Sequence, residues 1–130
     1  MKEILIVTPP DRPGTLAGVA ECLAARGVNI EDIDATDDHE HGIIRLRARP
    51  YDTALHALSE AGYQAVSEEV LLIRLKDEPG SVARIAARFR QPPVNINSLR
   101  ILSRTRGWAM VVLSTDDNAA ARQLLSDCVV

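Results

Sequence analysis

The 130-residue sequence is 46% hydrophobic and 25% charged with seven Gly and seven Pro, an ordinary soluble globular composition that holds no run near the roughly 18 apolar residues of a membrane span and is too apolar for disorder. The net charge of −3 divides unevenly: residues 1–66 carry six Lys and Arg against eleven Asp and Glu, a balance of −5, and residues 67–130 carry nine against seven, a balance of +2. Opposite signs favour docking of the halves on each other or on a second copy, and an acidic total with only four aromatic residues (Tyr51, Tyr63, Phe89, Trp108) argues against a nucleic-acid partner.

In chain order, Ile4, Leu5, Ile6 and Val7 form an apolar run bounded by Pro9 and Pro10, which predicts a buried strand. The run is far shorter than the apolar core of a secretory leader, roughly 7 to 15 residues, so a cytoplasmic location is expected. Asp11-Arg12-Pro13-Gly14-Thr15 turns into a helix with Leu16, Val19, Ala20, Leu23 and Ala24 on one face and Gly27 as its stop. Ile30, Ile33 and Ala35 predict a strand, and the first spacing of three implies a bulge or a helical turn before regular alternation begins. Polar residues 37–42 predict a hairpin into a strand at 43–48. Asp52 is the expected cap of a second helix with Ala54, Leu55 and Leu58 inward, and a last strand is expected near 63–66, with Ser67, Glu68 and Glu69 as the break after it.

The chain then repeats itself. Asp77-Glu78-Pro79-Gly80-Ser81-Val82-Ala83 follows Asp11-Arg12-Pro13-Gly14-Thr15-Leu16-Ala17 at an offset of 66, and the register holds from Val28-Asn29-Ile30 to Val94-Asn95-Ile96. After the next turn Gly107 answers Gly42 at an offset of 65. The second unit thus has a strand at 70–75, a helix face of Val82, Ile85, Ala86 and Phe89 stopped by Pro92-Pro93, and a strand through Ile96, Leu99 and Ile101. A hairpin partner at 108–113 and a helix capped by Asp116 or Asp117, with Ala120, Leu124 and Leu125 inward, complete it. The expected organisation is two units, 1–68 and 69–130, each a ferredoxin-like βαββαβ unit of the α+β class with helices on one face of an antiparallel sheet. The second lacks a full last strand, because only Cys128, Val129 and Val130 remain for it.

Candidate chemistry concentrates at the two Asp-x-Pro-Gly turns. Gly14 and Gly80 let backbone approach a bound group, and the amides at Thr15 and Ser81 lie at the positive helix end, which suits a carboxylate. Alternatively the turn is only a well-made helix start, with Asp11 and Asp77 bonding nearby backbone. Asn29 and Asn95 offer a donor and an acceptor for an ammonium or carboxylate, or satisfy their own turns. Asp37, His39, Glu40 and His41 lack a third anchored ligand and read as a solvated turn, so no metal site is expected. Cys22 and Cys128 read as reduced, packed thiols, His56 as a surface residue, and Arg84, Arg88, Arg90, Arg100, Arg104 and Arg106 as solvated or interfacial. No nucleophile, base and orienter can be assembled, so no catalytic residues and no cofactor are expected.

The doubled Asp-x-Pro-Gly and Val-Asn-Ile motifs resemble tandem ACT domains over nearly the whole chain. Gly27-Val28-Asn29-Ile30-Glu31 with Asp37-Asp38 is similar to the acetolactate synthase regulatory subunit, in the first unit alone. The resemblance implies a non-catalytic, allosteric regulatory module that binds a small ligand, an amino acid, at the interface between ACT units. It implicates Asp11, Pro13, Gly14, Thr15, Leu16, Asn29 and Ile30, and in the second unit Asp77, Pro79, Gly80, Ser81, Val82, Asn95 and Ile96. Arg12 against Glu78, and Pro92-Pro93 in place of Arg26-Gly27, imply that the two sites are not equivalent. A homodimer and a biosynthetic enzyme partner fit such a module; the alternative is a scaffold subunit that binds an enzyme through its sheet face without a small ligand.

Overall fold

The computed structural model describes residues 1–10, 12–37, 39–91 and 93–130. These form two compact units, Lys2–Glu68 and Glu69–Val130, the latter including Met1. Met1 belongs there through hydrogen bonds: its ammonium donates to Glu69 Oε1 at 3.2 Å and to the Val70 carbonyl at 3.1 Å.

In the first unit, alternation decides which face of each strand is dry. β1 (Lys2–Thr8) and β3 (Gly42–Arg49) pair antiparallel with Ile4 opposite Leu46 and Ile6 opposite Ile44. All four are buried, while Arg45 and Arg47 take the other face. β2 (Asn29–Asp37) and β4 (Gln64–Glu69) are the outer strands, giving the order β2-β3-β1-β4. Helices α1 (Thr15–Ala24) and α2 (Tyr51–Glu60) cover the apolar face with Val19, Leu23, Ala54 and Leu58. Gly27 at φ 69° ends α1 as expected, its neighbour Val28 donating to the Leu23 carbonyl at 3.0 Å.

The second unit repeats this plan with β5 (Leu71–Lys76), α3 (Ser81–Ala87), a 3₁₀ turn (Arg88–Arg90), β6 (Ile96–Thr105), β7 (Trp108–Thr115) and α4 (Asn118–Leu124). Its sheet order is β5-β7-β6, and where β4 stands in the first unit there is a single antiparallel bridge from Ile73 to Val129. The bulge expected early in the second strand occurs in both units, as register shifts between Ile30 and Asp32 and between Ile96 and Ser98. Arg106 and Gly107, at φ 53° and 81°, make the two-residue turn between β6 and β7, and Asp117 caps α4 by accepting from the Ala120 amide at 3.0 Å.

Several expectations change. The inward faces of the first helices are narrower than their periodicity predicts: Leu16 is 47% and Val82 40% exposed, because Val19 with Leu23 and Ile85 with Phe89 already fill the cover over each sheet. Ile33, at 39%, lies on an outer strand with no neighbour beyond it. The second unit's first helix tightens to 3₁₀ at Arg88, ahead of the expected Pro92-Pro93 stop; Pro92 lies outside the described residues. Pro50, not Asp52, occupies the cap position of α2, and Asp52 sits in the first turn, where its charge suits the helix dipole. The division between the units falls at the expected place, between Glu68 and Glu69, but Ser67, Glu68 and Glu69 are the end of β4 rather than a loop, held there by the Tyr51 to Ser67 hydroxyl contact and by Arg45 near Glu68 at 3.8 Å. Only buried Val70 separates β4 from β5.

Arg88 of the 3₁₀ turn grips Asp127 through both carboxylate oxygens, at 2.5 and 3.0 Å, and also donates to the Leu124 carbonyl at 3.1 Å. The guanidinium holds the Asp127 carboxyl below its ordinary range. A depressed carboxylate contributes stability above its unfolded pKa and loses it as pH falls through the folded one. Asp127→Asn is therefore expected to lower stability at neutral pH and to converge with the parent in strong acid, read as urea midpoints across a pH series. Leu23→Ala, at a fully buried position, should cost about 2–5 kcal/mol in the same assay.

Candidate functional site

The start of α1 has the features of an open anion site. Gly14 is left-handed at φ 86°, no side chain among the described residues caps the helix, and an added Cβ would meet nothing within 4 Å. The Thr15 hydroxyl turns away from the helix amides and donates to the Arg12 carbonyl at 2.9 Å. The first-turn amides are thus left at the positive end of a ten-residue helix. Arg12 is exposed beside them and forms no ion pair among the described residues.

Two hollows flank this turn. One, of about 190 Å³, lies on the β2–β3 side between Thr8, Arg12, Thr15, Leu16 and Asp37. The other, of about 480 Å³, lies on the β4 side and is closed by Gly62, Tyr63 and Gln64. Thr8 lines both; it is only 7% exposed, and its hydroxyl has no hydrogen-bond partner among the described residues. Gly42, opposite Thr8 in the ladder, leaves room for the Thr8 hydroxyl in this rotamer, since a Cβ would sit 2.2 Å from its oxygen. Asp37 Oδ1 accepts from the His39 amide at 2.9 Å, an Asx turn that orients the carboxylate at the end of β2.

The equivalent turn in the second unit is filled by its own side chains. Gly80 is again left-handed, at φ 87°, but Arg84 donates to Glu78 Oε1 at 3.0 Å and to the buried Ser81 hydroxyl at 3.1 Å. Arg104 pairs with Asp77 at 3.2 Å. Three of the six arginines expected to be solvated or interfacial, Arg84, Arg88 and Arg104, are thereby engaged with carboxylates of their own unit.

The sequence-predicted site residues separate into those that meet and those that do not. Pro13, Gly14, Thr15 and Leu16 line the hollows, and Asp11 lies outside the described residues. Asn29 and Ile30 do not join them within the unit. The ladder puts Thr8, Gly42 and Asp37 at one end of the sheet and Asn29, opposite Arg49, at the other; a helix and its returning strand start at opposite ends. In the second unit Pro79, Gly80, Ser81 and Val82 form the filled turn, and Asn95 and Ile96 again lie at the far end. There the Asn95 backbone amide donates to Asp116 Oδ1 at 3.0 Å and the Asn95 carbonyl accepts from the Asp116 amide at 3.0 Å, tying the start of β6 to the segment before α4. Thr8 and Gly42 were missed as site residues; a threonine ending an apolar run opposite a glycine in the facing strand is the signal that could have found them.

The remaining chemistry-bearing groups are packed or surface groups. Cys22 Sγ lies 3.5 Å from the Ala57 carbonyl, joining α1 to α2, and burial pushes the Cys128 thiol up. His56 is exposed and lies 2.9 Å from Glu60. Among the described residues no cluster of three His, Cys, Asp or Glu could hold a metal ion; Asp38 lies outside them.

This architecture belongs to the ferredoxin-like α+β class, and residues 3–63 match the ACT domain family. The match falls within the first unit, and the second unit repeats the same order of strands and helices. Among solved structures it is similar to a protein from Bacteroides thetaiotaomicron, with TM-score 0.83 and 20% identity over 99% of this chain and 90% of that one. The regulatory subunit of aspartate kinase from Thermus thermophilus, in its ligand-free form, has TM-score 0.64 and 19% identity over 97% and 91%. That of Thermus flavus has TM-score 0.64 and 19% identity over 97% and 90%. No curated protein matches the sequence. Among the described residues no helix is long and apolar enough to cross a membrane.

Gly14→Ala isolates the backbone conformation, since the new methyl has no steric neighbour. It is expected to cost about 1–2 kcal/mol in chemical denaturation through the left-handed φ alone.

Proposed function

We propose that this chain is a non-catalytic regulatory protein of the cytoplasm. It binds a small ligand, an amino acid, at the start of α1, with a second ACT unit completing the site as the family resemblance implies. One observation carries the reading: among the described residues the start of α1 has neither a side-chain cap nor an ion-pair partner for Arg12, whereas its repeat at α3 is filled by Glu78, Arg84 and Ser81. The ligand carboxylate takes the first-turn amides and Arg12, and the Asp37 carboxylate takes the ammonium across the 190 Å³ hollow. That volume suits a short side chain, with the Thr8 hydroxyl as its polar contact.

Regulation requires only that the ligand prefer one docking state of the protein over another, with a biosynthetic enzyme as the partner that reads the state. The same fold in the regulatory subunits of two aspartate kinases fits that role. Exposed Leu16 and Ile33, on the side of the outer strand β2, support a homodimer.

Calorimetry against the twenty amino acids tests the proposal. Binding of one or a few is expected, weakened at least about tenfold, or about 1.4 kcal/mol, by Asp37→Asn and abolished by Gly14→Val, with Gly80→Val close to the parent. Failure of every amino acid to bind, together with co-purification of an enzyme insensitive to Gly14→Val, would favour the ligand-free scaffold instead.

A further inference from the structure

We propose that Thr8 makes the site at the start of α1 selective for short amino acids with a side-chain hydroxyl, the serine and threonine class, over the same molecules without it. The inference rests on the amino-acid reading above and adds to it the atom that discriminates. Alternation along β1 buries Ile4 and Ile6 on the helix-covered face and carries Thr8 to that face. Opposite it the ladders set Gly42 and Asp37, with Ile44 and Ala35 one step further in. Thr8 thus forms the floor of the 190 Å³ hollow, facing Thr15 and Leu16 of α1. It is 7% exposed, and its hydroxyl bonds no described residue. Buried hydroxyls are as a rule partnered, because packing alone does not repay their loss of water. A ligand that fills the hollow cuts this hydroxyl off from solvent and must itself supply the partner.

The repeat shows that the fold does not require a hydroxyl at this position. In the first unit the pair Ile6–Ile44 is followed by Thr8–Gly42; in the second the pair Ile73–Val111 is followed by Leu75–Ala109. Leu75 and Ala109 are both part of the buried core of their unit. The motif offset of 66 would set Thr8 against Arg74, but the ladders set it against Leu75, because Thr8 precedes Asp11 by three positions and Leu75 precedes Asp77 by two. Where the helix start is filled by its own side chains, the strand ends in leucine on alanine. Where the helix start is open, it ends in a hydroxyl over glycine.

The hollow is smaller than the roughly 300–1,000 Å³ of pockets for drug-sized ligands, and Leu16, Ala35 and Ile44 offer apolar contact for a methylene or a methyl. A hydroxyl donates or accepts, so Thr8 pairs with a ligand hydroxyl in either sense. Alanine in the same pose would leave Thr8 covered and unpartnered, and a site built to bond a ligand hydroxyl rejects the analogue that lacks it far more strongly than a pocket rejects a missing methylene.

Calorimetry on the full chain tests the inference with two matched pairs, serine against alanine and threonine against valine. Serine is expected to bind at least about tenfold tighter than alanine, and threonine at least about tenfold tighter than valine. In Thr8→Val, which exchanges the hydroxyl for a methyl at nearly constant shape, each ratio should fall to within about twofold while alanine binds no more weakly than to the parent. Thr8→Ser should keep the serine preference, and urea midpoints of both variants identify any loss that comes from folding instead. Alanine binding the parent as tightly as serine, or a tenfold preference that persists in folded Thr8→Val, would overturn the inference. Binding of long or charged amino acids alone would overturn it and leave the amino-acid reading standing, whereas binding of none would overturn both.

Discussion

Each unit depends on the burial of one face of a central strand pair beneath two helices. In the first, Ile4, Ile6, Ile44 and Leu46 meet Val19, Leu23, Ala54 and Leu58; in the second, Ile73, Leu75, Val111 and Leu113 meet Ile85, Ala121 and Leu125. A unit of this size has no reserve of core, so the register of β1 on β3 and of β5 on β7 is narrowly specified: a slip of one residue would turn every apolar side chain outward. The turns obey that register. Gly14 and Gly80 must be left-handed for each helix to start above the end of the preceding strand.

The same geometry explains why the two units diverge at their most alike sequence. Both start their first helix at a glycine, which offers no side-chain cap of its own and leaves amides in need of partners. In the second unit Arg84, one turn into α3, folds back to Ser81 and Glu78, and Asp77 is drawn to Arg104. In the first unit Gly18 occupies the position of Arg84 and has no side chain to fold back. A Cβ there would meet the Tyr63 hydroxyl at 2.8 Å, so Gly18 also makes room for the tyrosine that bounds the larger hollow. A single repeat position thus distinguishes an open helix start from a filled one.

Much of this was legible in the amino-acid order. The 66-residue offset revealed a duplication, and the three-residue spacing of Ile30 and Ile33, repeated in Ile96 and Leu99, revealed a bulge that the ladders contain twice. The last strand of the first unit was less legible, because Ser67, Glu68 and Glu69 look like a linker until Tyr51 and Arg45 are brought to them from elsewhere in the unit. The candidate site was half legible. The turn from Pro13 to Leu16 was apparent, but Asn29 was grouped with it by motif, and the ladder places it at the far end of the sheet.

The sequence by itself determined the periodicities, the turns and the duplication, because these depend on residues within a few positions of one another or on copies of the same pattern. Only the tertiary structure decided which groups share a site. Thr8 comes to lie over Gly42, Arg74 over Trp108, and Arg88 on Asp127 through strand pairing and helix packing between residues distant along the chain. Whether an amide, hydroxyl or guanidinium is open to a ligand or already satisfied is a property of those distant neighbours, and no local pattern encodes it.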